Sequence, residues 1–201
     1  MLLPRNTSSI LALRTHVQQF TPLTDAEWQG LEPHLREMTL GRKQLFAEEG
    51  KRANLVGFVL QGSLRQFYTR DGDEKTTYFY FENNLVADYI SCLTKQPGLL
   101  TLETLEETRL LVFNYDVLER LCGEFPAWNT FARKIAEYIA IGLEMRLVEH
   151  LMYSPEERYN LLIKSNKTRI LERIPQQYIA SYLGMTPVSL SRIRNRLARS
   201  A

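Results

Sequence analysis

Between Leu40 and Phe113 the apolar residues come in short runs rich in Val, Phe, Tyr and Thr: Leu55 to Leu60, Ser63 to Tyr68, Thr76 to Phe81, Leu99 to Leu105 and Arg109 to Phe113. Runs of this length bounded by turn residues predict β-strands. The boundaries are Gly50, Gly62, the hairpin dipeptide Asp71-Gly72 and the break Lys95-Gln96-Pro97-Gly98. Strands so short and closely spaced predict a small antiparallel barrel or roll. Ahead of them, residues 8–38 predict two short helices, the second opened by Thr24, with Glu27 completing a T-x-x-E capping box.

After Pro126 the period changes to that of a helix, from Ala127 to Met152, roughly 39 Å at 1.5 Å per residue. Two apolar stripes run along it. One holds Phe131, Ile135, Tyr138, Gly142 and Met145, and the other holds Ala132, Ala136, Ile139, Leu143 and Leu147. Together they cover more arc than the flank of one domain buries, so one stripe is expected on the roll and the other on a second copy. The expected dimerisation residues are Phe131, Ile135, Tyr138, Ile139, Gly142 and Met145, and which stripe faces the partner stays open. A single helix inside a thick core is the alternative. Ser154-Pro155-Glu156-Glu157 then restarts the chain, with Ser154 as cap, Pro155 at the first helical position and Glu157 closing a second capping box. The expected limits are 1–126 for the roll, 127–153 for the long helix and 154–201 for a C-terminal domain.

The 201 residues, 44% hydrophobic and 24% charged, suit one or two soluble domains and exclude a disordered chain. Cys92 and Cys122 lack the spacing of a metal site or a disulfide framework and read as packed thiols, so no cofactor is expected. There is no apolar run of membrane-spanning length and no secretory pattern at the start, so the expected place is the cytosol and no membrane is involved. The net charge of +2 hides an asymmetry. Residues 1–163 carry 17 Lys and Arg against 22 Asp and Glu, whereas residues 164–201 carry 8 against Glu172 alone. A compact basic end on a weakly acidic body is what phosphate-backbone binding requires.

Within that end, Ile174 to Leu197 divides into two short helices about a tight turn. Pro175 can open the first, Ile179 and Leu183 give it an inner face, and Ala180 is small enough for a second helix to cross closely. Gly184 suits a left-handed helix end; Thr186 caps the next helix and Pro187 takes its first position. Leu190, Ile193 and Leu197 point inward, leaving Val188, Ser189, Arg192, Asn195, Arg196 and Arg199 outside. That is a helix-turn-helix with a second helix fit to read a major groove in double-stranded DNA. Arg192 is placed to hold guanine O6 and N7, Ser189 is a second reader, and Val188 can meet a thymine methyl. Arg194, Arg196 and Arg199 fall later, toward phosphates, and Thr186 with the helix N-terminus can take another.

Ile179-Ala180-Ser181-Tyr182-Leu183-Gly184-Met185-Thr186-Pro187 with Ser189-Leu190-Ser191-Arg192-Ile193 resembles the helix-turn-helix of the Crp/Fnr family of bacterial transcription factors. Gly62-Ser63-Leu64-Arg65 and Leu102-Glu103-Thr104-Leu105-Glu106 are weaker matches, and the resemblance covers nearly the whole chain. It implies an α+β fold: an antiparallel β-roll like that of cyclic nucleotide-binding domains, a long dimerisation helix, and a C-terminal helix-turn-helix domain that recruits or blocks RNA polymerase. The chain stops just past the recognition helix, so the wing of a winged helix is expected to be absent or truncated. Many relatives carry Glu where this chain has Val188, so their consensus site does not transfer.

The nucleotide binders of the family hold the cyclic phosphate with an Arg. The matching region here reads Phe81-Glu82-Asn83-Asn84-Leu85-Val86-Ala87-Asp88 and then Pro97-Gly98-Leu99-Leu100-Thr101, without that Arg. Glu82 and Asp88 would repel an anion, which disfavours cyclic AMP. The Cys cluster of oxygen sensors and the pocket His or Cys of haem-binding members are absent too. Candidate liners of an effector pocket are Arg65, Tyr78, Tyr80, Glu82, Asp88 and Tyr89, and a filled roll without ligand is the alternative.

An enzyme is not expected. The strand region contains no His for a metal-dependent roll, and no nucleophile elbow, H-E-x-x-H or phosphate-cradling glycine loop occurs. The competing reading is a ligand-binding module that controls a protein partner through a nonspecific basic tail.

Overall fold

The computed structural model describes residues 2–3, 6–165 and 168–200; for 2–3 and 198–200 it describes the backbone alone. By packing, the chain groups into two units: Met1–Gln66 with Phe79–Tyr138, and Phe67–Tyr78 with Ile139–Ala201.

The roll consists of two sheets, and residues 67–78 of it group with the second unit. Strands β1 (Leu2–Leu3), β2 (Arg36–Leu40), β9 (Thr108–Asn114), β4 (Leu55–Gln61) and β7 (Leu85–Val86) form one sheet in the order β1-β2-β9-β4-β7, all antiparallel. A second sheet runs β3-β8-β5-β6, from β3 (Leu45–Ala47), β8 (Thr101–Thr104), β5 (Leu64–Arg70) and β6 (Asp73–Tyr80). The expected α+β class and antiparallel roll are thus present. Arg36 begins β2, so the second expected helix is shorter than residues 8–38 allowed: α1 is Thr7–Gln18 and α2 is Asp25–Gln29. Thr24 caps α2, and its hydroxyl and backbone exchange hydrogen bonds with Glu27.

The core lies where α1, α2, α4 (Tyr115–Glu124) and the start of α5 (Pro126–Met152) meet the five-stranded sheet. Leu13, Val17, Trp28, Leu35, Phe58, Leu111, Leu121, Trp128 and Phe131 are all buried there. Trp128 stacks on Trp28 with ring centroids 6.4 Å apart, and its indole N–H donates to the Glu27 carbonyl at 3.0 Å. Burying side chains of this size contributes about 1.5–3 kcal/mol each, which anchors the first turns of α5 to the roll. Phe131 therefore belongs to the chain's own core and is unavailable as a dimerisation residue; Ile135 is half-buried against the same cluster.

Farther along α5 the apolar residues are uncovered. Tyr138, Ile141, Met145, Val148 and Met152 follow one another in steps of three and four and are 43 to 73% exposed. That spacing is a heptad seam. Gly142 is exposed and Ile139 half-buried.

Candidate nucleic-acid interface

The C-terminal helices are α6 (Pro155–Lys164), α7 (Thr168–Arg173), α8 (Gln176–Leu183) and α9 (Pro187–Ser200). Ser154 caps α6 and completes its box with Glu157, whose two hydrogen bonds from Ser154 hold its carboxyl below the usual carboxylate range. Tyr159, Leu162, Ile170, Ile174, Ile179, Ala180, Leu183 and Leu190 form the apolar centre. Ala180 is fully buried.

The turn between α8 and α9 has a chemical cause at each position. Gly184 takes φ 70°, a left-handed conformation that costs a non-glycine residue about 1–2 kcal/mol. The Gly184 amide donates to the Ser181 carbonyl at 3.0 Å and the Met185 amide to Ala180 at 3.0 Å, the pair of bonds that ends a helix in a Schellman motif. Two residues later the Thr186 hydroxyl accepts from the Ser189 amide at 3.1 Å and starts α9.

This turn sets the outward face of α9. Leu190 is 1% exposed, whereas Val188 is 60% exposed and Ser189, Arg192, Arg194, Asn195 and Arg196 also lie at the surface. Arg192 and Arg194 form no ion pair among the described residues. Three expected DNA-binding residues, Arg196, Ser189 and Thr186, have internal engagements. The Arg196 guanidinium is ion-paired with Glu156 of α6, and the Ser189 hydroxyl is 3.0 Å from that of Thr186. The side chain of Arg199 lies outside the described residues.

The last turn of α8 is gripped by side chains that the sequence does not single out. Arg158 of α6 is 8% exposed and donates from Nε and Nη2 to the Leu183 carbonyl at 3.1 and 2.7 Å. Its Nη1 reaches the carbonyls of Tyr153 at 2.7 Å and His150 at 3.3 Å, just past and within the last turn of α5. Arg146 of α5 donates to the Tyr182 carbonyl and lies over the Tyr182 ring, 3.6 Å from its centroid. Burial pushes the Arg146 guanidinium below its ordinary value, with Tyr182 and Glu149 opposing. Helix C-termini leave their last carbonyls unpaired and carry partial negative charge, so two cations close both ends at once. No local pattern marks Arg158: Pro-Glu-Glu-Arg reads equally well as a solvated helix face.

The expected effector residues do not share one pocket. Arg65 is 3% exposed inside the roll, and its Nε donates to Glu103 at 2.8 Å, a partner that sequence reasoning missed. Tyr80 donates from its hydroxyl to Gln66 at 2.8 Å. Because Gln66 and Arg65 are consecutive on β5, Tyr80 stands on the opposite face of the strand from Arg65. Tyr78, two residues before it, shares that outer face and is 41% exposed. Glu82 accepts from the Gly62 amide at 2.9 Å, and the Tyr89 ring meets Tyr115 with centroids 6.3 Å apart.

Asp88 begins the short helix α3 (Tyr89–Thr94), accepting the Ser91 amide on Oδ1 at 3.1 Å. Its Oδ2 is buried without a hydrogen-bond partner among the described residues, and a Cβ on Gly98 would stand 1.8 Å from it. Burial outweighs the Ser91 bond and pushes the Asp88 carboxyl up. The segment is tied to its own chain. The Ser91 hydroxyl accepts the Ala53 amide and donates to the Gln96 carbonyl, while Gly98 exchanges backbone bonds with Gly50 and Lys51. Burial, with Asp88 and Asp116 adding, pushes the Cys92 thiol up to about 11, as a packed thiol should be. No helix among the described residues is long and apolar enough to cross a membrane.

The family model of the cyclic nucleotide-binding domain matches residues 37–125. Compared by sequence with curated proteins, the chain matches none. Solved structures share its fold. FixK2 from Bradyrhizobium japonicum is 19% identical, with 82% of this chain and 84% of that chain covered and a TM-score of 0.69. A CooA mutant from Carboxydothermus hydrogenoformans is 15% identical over 100% of this chain and 87% of that one, at 0.64. The catabolite activator protein of Thermus thermophilus is 20% identical over 90% and 86%, at 0.55. All three are below 25% identical to this chain, so the likeness is one of fold.

Proposed function

We propose that this chain, a cyclic nucleotide-binding domain joined through a long helix to a basic helix pair, is a sequence-specific DNA-binding transcription regulator of the Crp/Fnr type and not an enzyme. The observation that carries the reading is α9. Its inner face is sealed by Leu190, and its outer face presents Val188, Arg192, Arg194 and Asn195 uncovered, with Arg192 and Arg194 unpaired among the described residues. A bidentate guanidinium on guanine is worth about 1–3 kcal/mol of discrimination, which is the role assigned to Arg192. Arg194 supplies phosphate affinity, and Arg196 does so by exchanging Glu156 for a phosphate oxygen.

The regulator acts as a homodimer. The uncovered heptad seam of α5 is its partner surface, and the two reading helices address half-sites about 34 Å apart on a pseudo-palindrome. RNA polymerase is the protein partner and the cytoplasm the place of action. Cyclic AMP is not the effector. A cyclic phosphate entering at α3 would meet the buried Asp88 carboxylate, and Arg65 is already neutralised by Glu103. A different small molecule resets the spacing of the reading helices through α5.

Fluorescence anisotropy on duplex DNA as the salt is varied tests this. Wild type should bind with a steep salt dependence, Arg192→Ala should lose preference between sequences, and Arg194→Ala should lose affinity uniformly with a salt slope reduced by about one. Equal loss at every Arg, with no preference in wild type, would instead favour a nonspecific basic tail acting on a protein partner.

A further inference from the structure

Strand β6 is the outer strand of its sheet, so one of its edges offers backbone groups with no strand to pair them. On that edge, one side chain of α8 satisfies two of these groups together. The Ser181 hydroxyl accepts from the Thr76 amide at 2.9 Å and donates to the Glu74 carbonyl at 3.1 Å. Residues two apart on a strand direct their groups to the same side, and a hydroxyl is at once donor and acceptor. Ser181 thus stands where a neighbouring strand would, and Thr76 is 3% exposed beneath it. The hairpin that carries this edge turns at Asp71 and Gly72, whose φ of 54° and 83° suit a two-residue type I′ turn.

Ser181, Tyr182 and Leu183 are consecutive, and each is held by a different element. The hairpin takes the Ser181 hydroxyl, Arg146 of α5 takes the Tyr182 carbonyl and ring, and Arg158 of α6 takes the Leu183 carbonyl. The two arginine contacts hold α8 to its helical neighbours. The serine contact joins it to strands that run unbroken from Leu64 to Arg70 and from Asp73 to Tyr80. All of this leaves the outward face of α9 uncovered.

We propose that Ser181 is a positioning residue through which the β5–β6 hairpin sets the orientation of the reading helix, so that a shift of this hairpin is transmitted to DNA affinity through the Ser181 hydroxyl. It rests on the DNA-binding reading above. The contact acts on the freedom of α8–α9 and not on base contacts, because a reading helix already held pays less ordering entropy on DNA. Its loss should lower affinity for every sequence by a common factor and leave the preference among sequences intact.

Amide hydrogen exchange on the full chain, with Ser181→Ala and Ser181→Thr beside wild type, tests the contact directly. Ser181→Ala should speed exchange at the Thr76 amide about tenfold, the worth of one hydrogen bond, and weaken DNA binding by about fivefold with sequence preference unchanged. Ser181→Thr keeps the hydroxyl and should restore both. Unchanged exchange at Thr76 in Ser181→Ala would overturn the contact, and faster exchange with affinity held within about twofold would overturn the coupling. If wild type shows no sequence-dependent DNA binding, the DNA reading fails with it, while the exchange rates still decide whether the hairpin holds Ser181.

Discussion

Replacing Arg158 by Met keeps an unbranched apolar stem out to the position of Nε and removes the guanidinium with all its donors. In the folded chain that group makes four hydrogen bonds to three carbonyls, those of Leu183, Tyr153 and His150. Bonds from a charged donor contribute about 1.5–3 kcal/mol each, and burying a cation at 8% exposure opposes them by several kcal/mol. The carbonyls left behind close two helix ends, where no intrahelical donor exists. The balance is a loss of about 2–4 kcal/mol. For a unit of this size, each kcal/mol moves the midpoint by about 4–8 °C, so the midpoint of the helical signal in a thermal melt should fall by roughly 8–32 °C. Arg158→Lys should lie between, because one ammonium cannot span carbonyls on both sides. A shift below about 3 °C for Arg158→Met, or a lysine variant as stable as wild type, would refute the clamp.

Gly184→Ala forces a Cβ into a left-handed backbone, 3.1 Å from Arg158 Nη2, and should cost about 1–2 kcal/mol in urea unfolding; an unchanged midpoint contradicts the strained turn. Burial holds the folded pKa of Asp88 above its ordinary value, so folding disfavours its charged form relative to the unfolded chain. The stability this contributes is present at low pH and lost as the pH rises through the raised pKa. Asp88→Asn keeps the helix cap on Ser91 and removes the charge. Its gain over wild type at pH 7 should shrink as the pH falls toward 4, and a pH-independent difference would show that Oδ2 bears no buried charge. Met145→Glu places like charges across the α5 seam and should weaken self-association by about a hundredfold in sedimentation equilibrium; an undisturbed dimer would move the interface elsewhere.

Local chemistry made much of this fold legible. The boxes at Thr24–Glu27 and Ser154–Glu157, the Asp71-Gly72 turn and the Gly184 helix end each depend on residues within a few positions of one another, and each stands where the sequence places it. The long helix is read to within one residue of Pro126–Met152. What escapes is non-local. β2, β3 and β7 are short strands whose pairing partners lie far along the chain, and α4 follows β9 without a side-chain cap to announce it.

The candidate site divides the same way. The outward face of α9 follows from helical period alone. Polarity alone does not gather the expected effector residues, because strand alternation puts Tyr80 on the far face from Arg65. Glu103 as the partner of Arg65, Glu156 as that of Arg196 and the carbonyls beneath Arg158 become visible only when distant segments are brought together. Phe131 shows the converse: a stripe of correct period runs from the core of the roll onto an uncovered surface, and the period alone does not say where it crosses.

The central claim is that α9 reads sequence, and the most direct measurement is selection of bound fragments from genomic DNA near physiological salt, with wild type and Arg192→Ala in parallel. The account predicts a pseudo-palindromic site, its half-sites about one helical turn apart, enriched by wild type and lost with Arg192→Ala. Enrichment of the same site by both proteins, or of none by wild type with and without cell extract, would contradict it.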